Sequence, residues 1–309
     1  LADVMMPAVY TPPMHRATVI ATFSRRMRLR LDDGAEVDAR IKGKRLKPVC
    51  GDQVDTTPLP DETDWLITNI RKRDNELSRP NQRGQVEVLA ANLDYLLVVA
   101  AAEPKPDWFI VDRYLCAAEL MEIDAGVVFN KSDLVDELPE TELHAYRDAG
   151  YDVVVCSAET GDGVAGVGRL LDDHCAIIVG QSGVGKSSII NRLTGEDLLK
   201  TSEISEKTRE GRHTTVNSAM IMLPGGGAII DSPGVRDYAP ALESSAAAAQ
   251  GFREISAAAA RCRFANCRHL REPGCAVKDG VESGAISARR YESLKRIINL
   301  TEKLSAGRY

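Results

Sequence analysis

Between residues 16 and 70 apolar and polar positions alternate in short runs. Residues 16–23 and 27–31 alternate in part, 36–41 repeat the pattern and 65–70 resume it. A period of two is what a half-buried strand requires. Asp32-Asp33-Gly34 is a hairpin signal, and Gly51-Asp52, inside 48–54, marks another turn. Five or so short strands in a segment this small predict a β-barrel of the OB type, a form that commonly binds oligonucleotides. An SH3-like barrel or a purely structural β-module fits the pattern equally.

Residues 78–86 read as a polar linker with Pro and Gly. Beyond it apolar strand-like runs alternate with helical periodicity. Strands are predicted at 93–101, 126–129, 151–156 and 175–179, and helices at 107–121, 139–149, 163–172 and 185–194. This is the signature of βαβ units around a parallel sheet. A hairpin follows at 220–231, turning at 224–227. From about residue 240 the chain is Ala-rich and helical. It ends in a helix starting near Ser287, with Tyr291, Leu294, Ile297, Ile298 and Leu304 on one face. No fixed-period repeat is present.

A length of 309 residues suits two or three domains. With 44% hydrophobic and 27% charged residues, disorder over the whole length is excluded. The longest apolar run, 95–102, is far short of the ~18 residues of a membrane helix, so no membrane association is expected. No basic segment followed by an apolar core opens the chain, so no secretory signal is expected; Leu1 is not a natural start, so a missing or altered N-terminus is expected. Seven cysteines are too few for a disulfide scaffold. Cys50, Cys116, Cys156 and Cys175 read as buried thiols in a reducing compartment. The net charge of −6 is unevenly spread. Residues 1–85 carry 15 Lys and Arg against 12 Asp and Glu; residues 251–309 carry 12 against 6; the 165 residues between them are net −15. Two basic ends suit a polyanion, and a set of solvated faces accounts for them as well.

Gly180-Gln181-Ser182-Gly183-Val184-Gly185-Lys186-Ser187 matches G-x-x-x-x-G-K-[ST] between a predicted strand and a predicted helix. Such a loop turns its N–H groups inward onto phosphates, aided by the helix dipole. Lys186 reaches the β- and γ-phosphates, and the Ser187 hydroxyl ligates Mg²⁺; Ser188 completes the loop. Asn130-Lys131-Ser132-Asp133 ends another predicted strand, where open α/β sheets bind ligands. A carboxylate at Asp133 accepts from guanine N1 and N2, and adenine offers no such pair. Asn130 meets the purine's other edge and the Lys131 stem packs along the ring. Ser157-Ala158 resembles the loop whose N–H meets guanine O6; a helix-capping turn is the plain alternative.

Asp231-Ser232-Pro233-Gly234 matches D-x-x-G. Asp231 would hold Mg²⁺ through water, and the Gly234 N–H would contact the γ-phosphate. The polar segment with Gly211-Arg212-His213-Thr214-Thr215 offers a threonine for Mg²⁺, Thr215 before Thr214. Where Ras-like proteins carry a water-orienting Gln, this chain has Val235. His213 is the candidate in its place; a solvated loop histidine, with catalysis borrowed from a partner, is the alternative. Farther on, Cys262, Cys267, His269 and Cys275 supply three thiolates and an imidazole within 14 residues, the ligand set of one closed structural Zn²⁺ site. Arg261, Arg263, Arg268 and Arg271 form a basic collar around it. Buried thiols with one redox-active partner are the lesser reading.

The motif order is N-K-x-D, Ser-Ala, phosphate loop, threonine switch, D-x-x-G. This is a circular permutation of the Ras-like order. The phrases 180–188, 211–215 and 231–236, in that order, closely resemble the ribosome small-subunit-dependent GTPase A family over nearly the full length. One departure is Val216, where a third switch threonine is often found. The resemblance implies a multidomain α/β chain: an OB-like RNA-binding barrel (1–80), a circularly permuted P-loop GTPase domain (81–242) and a helical zinc-binding domain (243–309). It implies a bacterial cytoplasmic enzyme, monomeric by default, that hydrolyses GTP to GDP, binds the 30S subunit and 16S rRNA late in subunit maturation, and is stimulated by the subunit. In that family the histidine matching His213 is catalytic. A P-loop small-molecule kinase or unrelated NTPase is the competing expectation.

Overall fold

The computed structural model describes residues 13–23, 26–41, 43, 45–60, 62–80, 85–195, 216–231, 242 and 247–306. The N-terminal strands are β1 (His15–Phe23), β2 (Met27–Leu31), β3 (Glu36–Ile41), β4 (Gln53–Pro58) and β5 (Trp65–Ile70). Pairing runs β1-β2-β3-β5-β4 and returns from β4 to β1. The sheet thus closes into a five-stranded barrel, with β3 and β5 parallel and the other pairs antiparallel. Alternate residues point inward, and Val19, Leu29, Ala39, Val54 and Ile67 form a core with no exposure.

One sequence expectation holds here and one changes. The turn expected at Gly51-Asp52 is present, and β4 begins directly after it at Gln53. Gly51 has φ +93°, and a Cβ there would lie 2.0 Å from the Ala91 carbonyl oxygen. The fully buried Asp52 accepts from Val49 N (2.8 Å) and pairs with Arg73 (2.7 Å). The predicted linker starts and ends in paired strands: β6 (Glu76–Pro80) and β7 (Val86–Ala91) are antiparallel. Leu77 is the buried residue that makes β6 a strand despite its polar neighbours.

The remaining strands are β8 (Tyr95–Ala101), β9 (Asp124–Asn130), β10 (Asp152–Val155), β11 (Cys175–Gly180), β12 (Val216–Met222) and β13 (Ala228–Asp231). The helices are α1 (Trp108–Met121), α2 (Glu140–Asp148), α3 (Val164–Leu171), α4 (Lys186–Thr194), α5 (Arg253–Ala259), α6 (Ala276–Glu282) and α7 (Ala288–Ala306). Every residue of β8 is buried because helices cover both faces. Leu96, Val98 and Ala100 pack toward α1 and α2; Tyr95, Leu97, Val99 and Ala101 pack toward α3 and α4. The order is β10-β9-β8-β11-β13-β12, all parallel except β12. Counted from β11, this reads 6-5-4-1-3-2, a permuted doubly wound sheet.

The barrel and this sheet share a strand. A bulge between Val19 and Ala21 bends β1, and its end pairs with β12 through Ala21–Ala219, Thr22–Ser218 and Phe23–Val216.

The C-terminal elements pack on α1. Phe252, Ile255, Val277, Leu294 and Ile297 form a third core that includes Cys116. Charge is buried beside it. Asp112, with no exposure, accepts from Arg290 Nη1 (2.9 Å), Arg289 Nη1 (2.6 Å) and the Tyr146 hydroxyl (3.0 Å). Arg290 is also bidentate on Glu254. Removing one member of such a network strands the rest in a low dielectric, at about 3–5 kcal/mol. Asp112→Ala is therefore expected to lose about 3–5 kcal/mol in urea unfolding. A loss below ~1 kcal/mol would show that solvent enters and screens the arginines.

Candidate functional site

The phosphate loop leaves β11 between its parallel neighbours β8 and β13. Its first residue, Gly180, has φ +141°, and a Cβ there would lie 2.2 Å from the Val99 carbonyl oxygen. At Gly185, φ is +92° and a Cβ would lie 2.4 Å from Asn130 Nδ2. The tight loop is thus built against the strand ends beside it. Lys186 Nζ donates to the carbonyls of Gly180 (3.0 Å) and Gln181 (2.9 Å), so the ammonium stands over the loop. Ser182 and Gly183 are exposed, Val184 is buried below them, and Ser187 and Ser188 are exposed on the first turn of α4. The Gln181 side chain accepts from Asp107 N (2.9 Å), the N-cap of α1.

Asn130 ends β9 and is 1% exposed. Its Nδ2 donates to the Val184 carbonyl (2.9 Å), and its Oδ1 accepts from Ala158 N (3.0 Å). One amide therefore joins three loops predicted separately: N-K-x-D, Ser-Ala and the phosphate loop. Sequence reasoning gave Asn130 only a contact with the base. The structure adds a tie to the backbones of two other loops. Lys131 takes a left-handed turn (φ +59°), and its stem runs toward Gly185. Ser132 N donates to the Cys156 carbonyl (3.2 Å). Asp133 is exposed, and its carboxylate has no partner among the described residues. Ser157 is buried, and its hydroxyl accepts from Thr160 N (3.1 Å) as a turn cap. The capping alternative for Ser157 thus coexists with the loop's position.

Asp231 ends β13, in register with Ile178 of β11. It is half-buried; burial raises its carboxyl pKa, and the Lys186 charge opposes that rise. The two side chains therefore face one site. His213, Thr214, Thr215, Gly234 and Val235 lie outside the described residues.

The four predicted metal ligands converge. Cys262, Cys267, His269 and Cys275 bring their ligand atoms within 4.8 Å of one another. Cys262 and Cys275 Sγ are 3.9 Å apart, and each is near His269 Nδ1, at 3.6 and 3.5 Å. Zn–S and Zn–N bonds in a tetrahedron require edges of about 3.8 Å (S to S) and about 3.5 Å (S to N). A disulfide requires ~2.05 Å between sulfurs. The set is compatible with one zinc. Burial lowers the His269 pKa, which favours the neutral imidazole a metal needs, and burial with neighbouring thiols pushes Cys267 up to about 12. Three thiolates this close call for a cation. The other thiols lie apart from this cluster. Cys50, Cys116 and Cys156 are buried alone and Cys175 is half-buried, with Cys116 and Cys156 pushed up to about 12 by burial.

Asn130→Ala leaves the Val184 carbonyl and the Ala158 N–H unpaired, so nucleotide-free protein is expected to lose about 1–3 kcal/mol in chemical denaturation. Unchanged stability with weakened nucleotide binding would reduce Asn130 to a ligand contact alone.

The comparisons agree with this arrangement. The RsgA GTPase family model matches residues 70–240, more than half of the chain. The small ribosomal subunit biogenesis GTPase RsgA of Ectopseudomonas mendocina is 41% identical over 254 residues, covering 81% of this chain and 74% of the relative. That of Pseudomonas syringae pv. tomato is 37% identical over 294 residues, covering 93% and 85%. YjeQ from Thermotoga maritima superposes with a TM-score of 0.73 at 28% identity, over 94% of this chain and 99% of that one. YloQ, a circularly permuted GTPase, gives 0.71 at 23% identity over 96% and 98%, a likeness of fold. Permuted strand order, phosphate loop and extent of identity point one way: the chain belongs to the RsgA GTPase family.

Proposed function

We propose that this chain hydrolyses GTP at the head of β8, β9, β11 and β13 and couples that turnover to the small ribosomal subunit during its biogenesis. The observation that carries the reading is Asn130, which holds the guanine-type motif against the phosphate loop. A kinase would need the loop and not this tie, so the small-molecule alternative is set aside with the family match.

The roles follow from placement. Loop N–H groups, the α4 N-terminus and Lys186 take the phosphates. Asp133, exposed and unpaired among the described residues, accepts from guanine N1 and N2; the Lys131 stem covers the ring. The Ser157-Ala158 loop, tied to Asn130 through the Ala158 N–H, is the one that meets guanine O6. Ser187, Asp231 and Thr215 would hold Mg²⁺, and the ion when bound would offset negative charge developing between the β- and γ-phosphates. Water attacks the γ-phosphorus, the bond to the β-phosphate oxygen breaks, and GDP and phosphate leave. His213 orients that water, and Gly234 N–H contacts the γ-phosphate.

The domain reading is a barrel to residue 80, the GTPase domain over 81–242 and a zinc-binding helical domain over 243–309. One structural Zn²⁺ on Cys262, Cys267, His269 and Cys275 stabilises the last. The pairing of β12 with β1 supports coupling, since Val216, next to Thr215, is hydrogen-bonded into a barrel strand. The partners are GTP, GDP and the 30S subunit through 16S rRNA, and the protein acts as a cytoplasmic monomer.

Calorimetry is expected to show strong preference for GTP over ATP, lost in Asp133→Asn, and small subunits are expected to raise GTP turnover. Equal affinity for both nucleotides, or turnover indifferent to subunits, would overturn the reading. His213→Ala is expected to cut turnover with GTP affinity intact; unchanged turnover would discard its role. Chelation is expected to release one zinc per chain and weaken subunit binding, with GTP affinity changed less than twofold; parallel loss of both would make the metal essential to the whole fold.

A further inference from the structure

Phe264 lies in the loop between Cys262 and Cys267 and is 40% exposed. Among the described residues the other exposed large apolar side chains, Met14, Val86, Leu134 and Met222, belong to other elements. The loop does not fold the ring inward because its backbone is fixed. Arg263 N donates to the Gly274 carbonyl (3.1 Å), and Cys267 N to the Phe264 carbonyl (3.2 Å). Both flanking cysteines belong to the convergent ligand set. Arg263, Ala265 and Asn266 are exposed beside it, the Arg263 guanidinium lies over one face of the ring at 5.5 Å from its centroid, and Arg261 and Arg271 are exposed nearby in the chain.

The barrel is a weaker candidate for the same partner. A cleft of about 880 Å³ opens between it and β6–β7, lined by Arg45, Lys47, Arg71 and Arg73, with Glu76 and Glu87. Arg71 and Arg73 are spent on Asp55, Asp52 and Glu76. Across the barrel Arg28, Arg30 and Arg40 pair likewise with Asp38, Glu36 and Asp64. In the Cys loop Arg268 alone of the four collar arginines has an acidic partner, Glu302, among the described residues.

We infer that Phe264 is a stacking platform for an unpaired base of small-subunit ribosomal RNA on the face opposite Arg263, with Arg261 and Arg271 against the flanking phosphates. The inference rests on the ribosomal reading and sharpens it. An exposed ring on a rigid loop among cations is what unpaired bases recognise: the ring supplies a π-face that any base can cover, and the arginines neutralise the backbone. A protein partner would need an apolar surface around the ring, and the neighbours here are Ala265, Asn266 and arginines.

The test uses full-length, zinc-loaded protein and purified small subunits. Phe264→Ala is expected to weaken subunit binding about tenfold, Phe264→Trp to retain it, and Phe264→Leu, apolar but unable to stack, to fail like Ala. Zinc content and subunit-free GTP turnover stay at the parent's values. Arg271→Ala is expected to flatten the salt dependence by about 0.7 in log–log slope, and Phe264→Ala to leave it unchanged. Zero-length ultraviolet crosslinking is expected to join the peptide bearing Phe264 to a nucleotide. Parent-like binding by Phe264→Ala, rescue by Leu equal to Trp, or a crosslink only to a ribosomal protein would overturn the inference while the GTPase reading stands. Parent protein that neither binds subunits nor responds to them would defeat the reading itself.

Discussion

One buried amide orders the nucleotide site. Asn130 is nearly without solvent, so its donor and acceptor must both be satisfied, and the partners are the backbones of two other loops. That requirement fixes where the end of β9 stands relative to the phosphate loop. It also explains Gly185, whose missing Cβ is the space the amide occupies. The permuted chain order has no bearing on this geometry. Strands β8, β9, β11 and β13 deliver their C-terminal ends to one edge whichever is made first, which is why cutting and rejoining the chain elsewhere leaves the site intact.

The parallel sheet was legible because burial on both faces turns a strand into an unbroken apolar run, as in Tyr95–Ala101. Where burial is one-sided or polar, the pattern faded. Strand β4 carries Asp55, Thr56 and Thr57, and only Val54 and Thr56 turn inward with little exposure. In β6 a single Leu77 is buried among Glu, Ser, Arg and Pro. The Cys and His cluster and the phosphate loop were legible from residue type and spacing, since such chemistry allows few substitutes. The backbone tie made by Asn130 was not, because a side chain that ties backbones leaves no pattern in its own neighbourhood.

The buried charges had a signal that apolar periodicity obscured. Arg290 precedes Leu294 by four residues and Ile297 by seven, on the buried stripe of α7. Asp112 stands likewise before Leu115 and Cys116 in α1. A charge in register with a core stripe on each of two helices announces a buried pair. Tyr291, expected to lead the stripe, is half-buried, and its hydroxyl reaches outside it.

That hydroxyl donates to the His269 carbonyl (2.5 Å). Three consecutive side chains of α7 thus have fixed partners: Arg289 and Arg290 hold Asp112 of α1, and Tyr291 holds the backbone of a predicted metal ligand. At the N-cap of the same helix, Asp107 N donates to the Gln181 side chain of the phosphate loop. Contacts therefore run without a gap from phosphate loop to α1, from α1 to α7, and from α7 to the Cys loop that presents Phe264. A polar linker would let the last module tumble against the first. Here the desolvated Asp112–Arg290 pair makes such tumbling costly, because any swing of α7 would expose one charge and strand the other. The cysteine cluster fixes the loop, α7 fixes the cluster on α1, and the orientation of the loop toward a partner is set by side-chain packing against the nucleotide-binding domain.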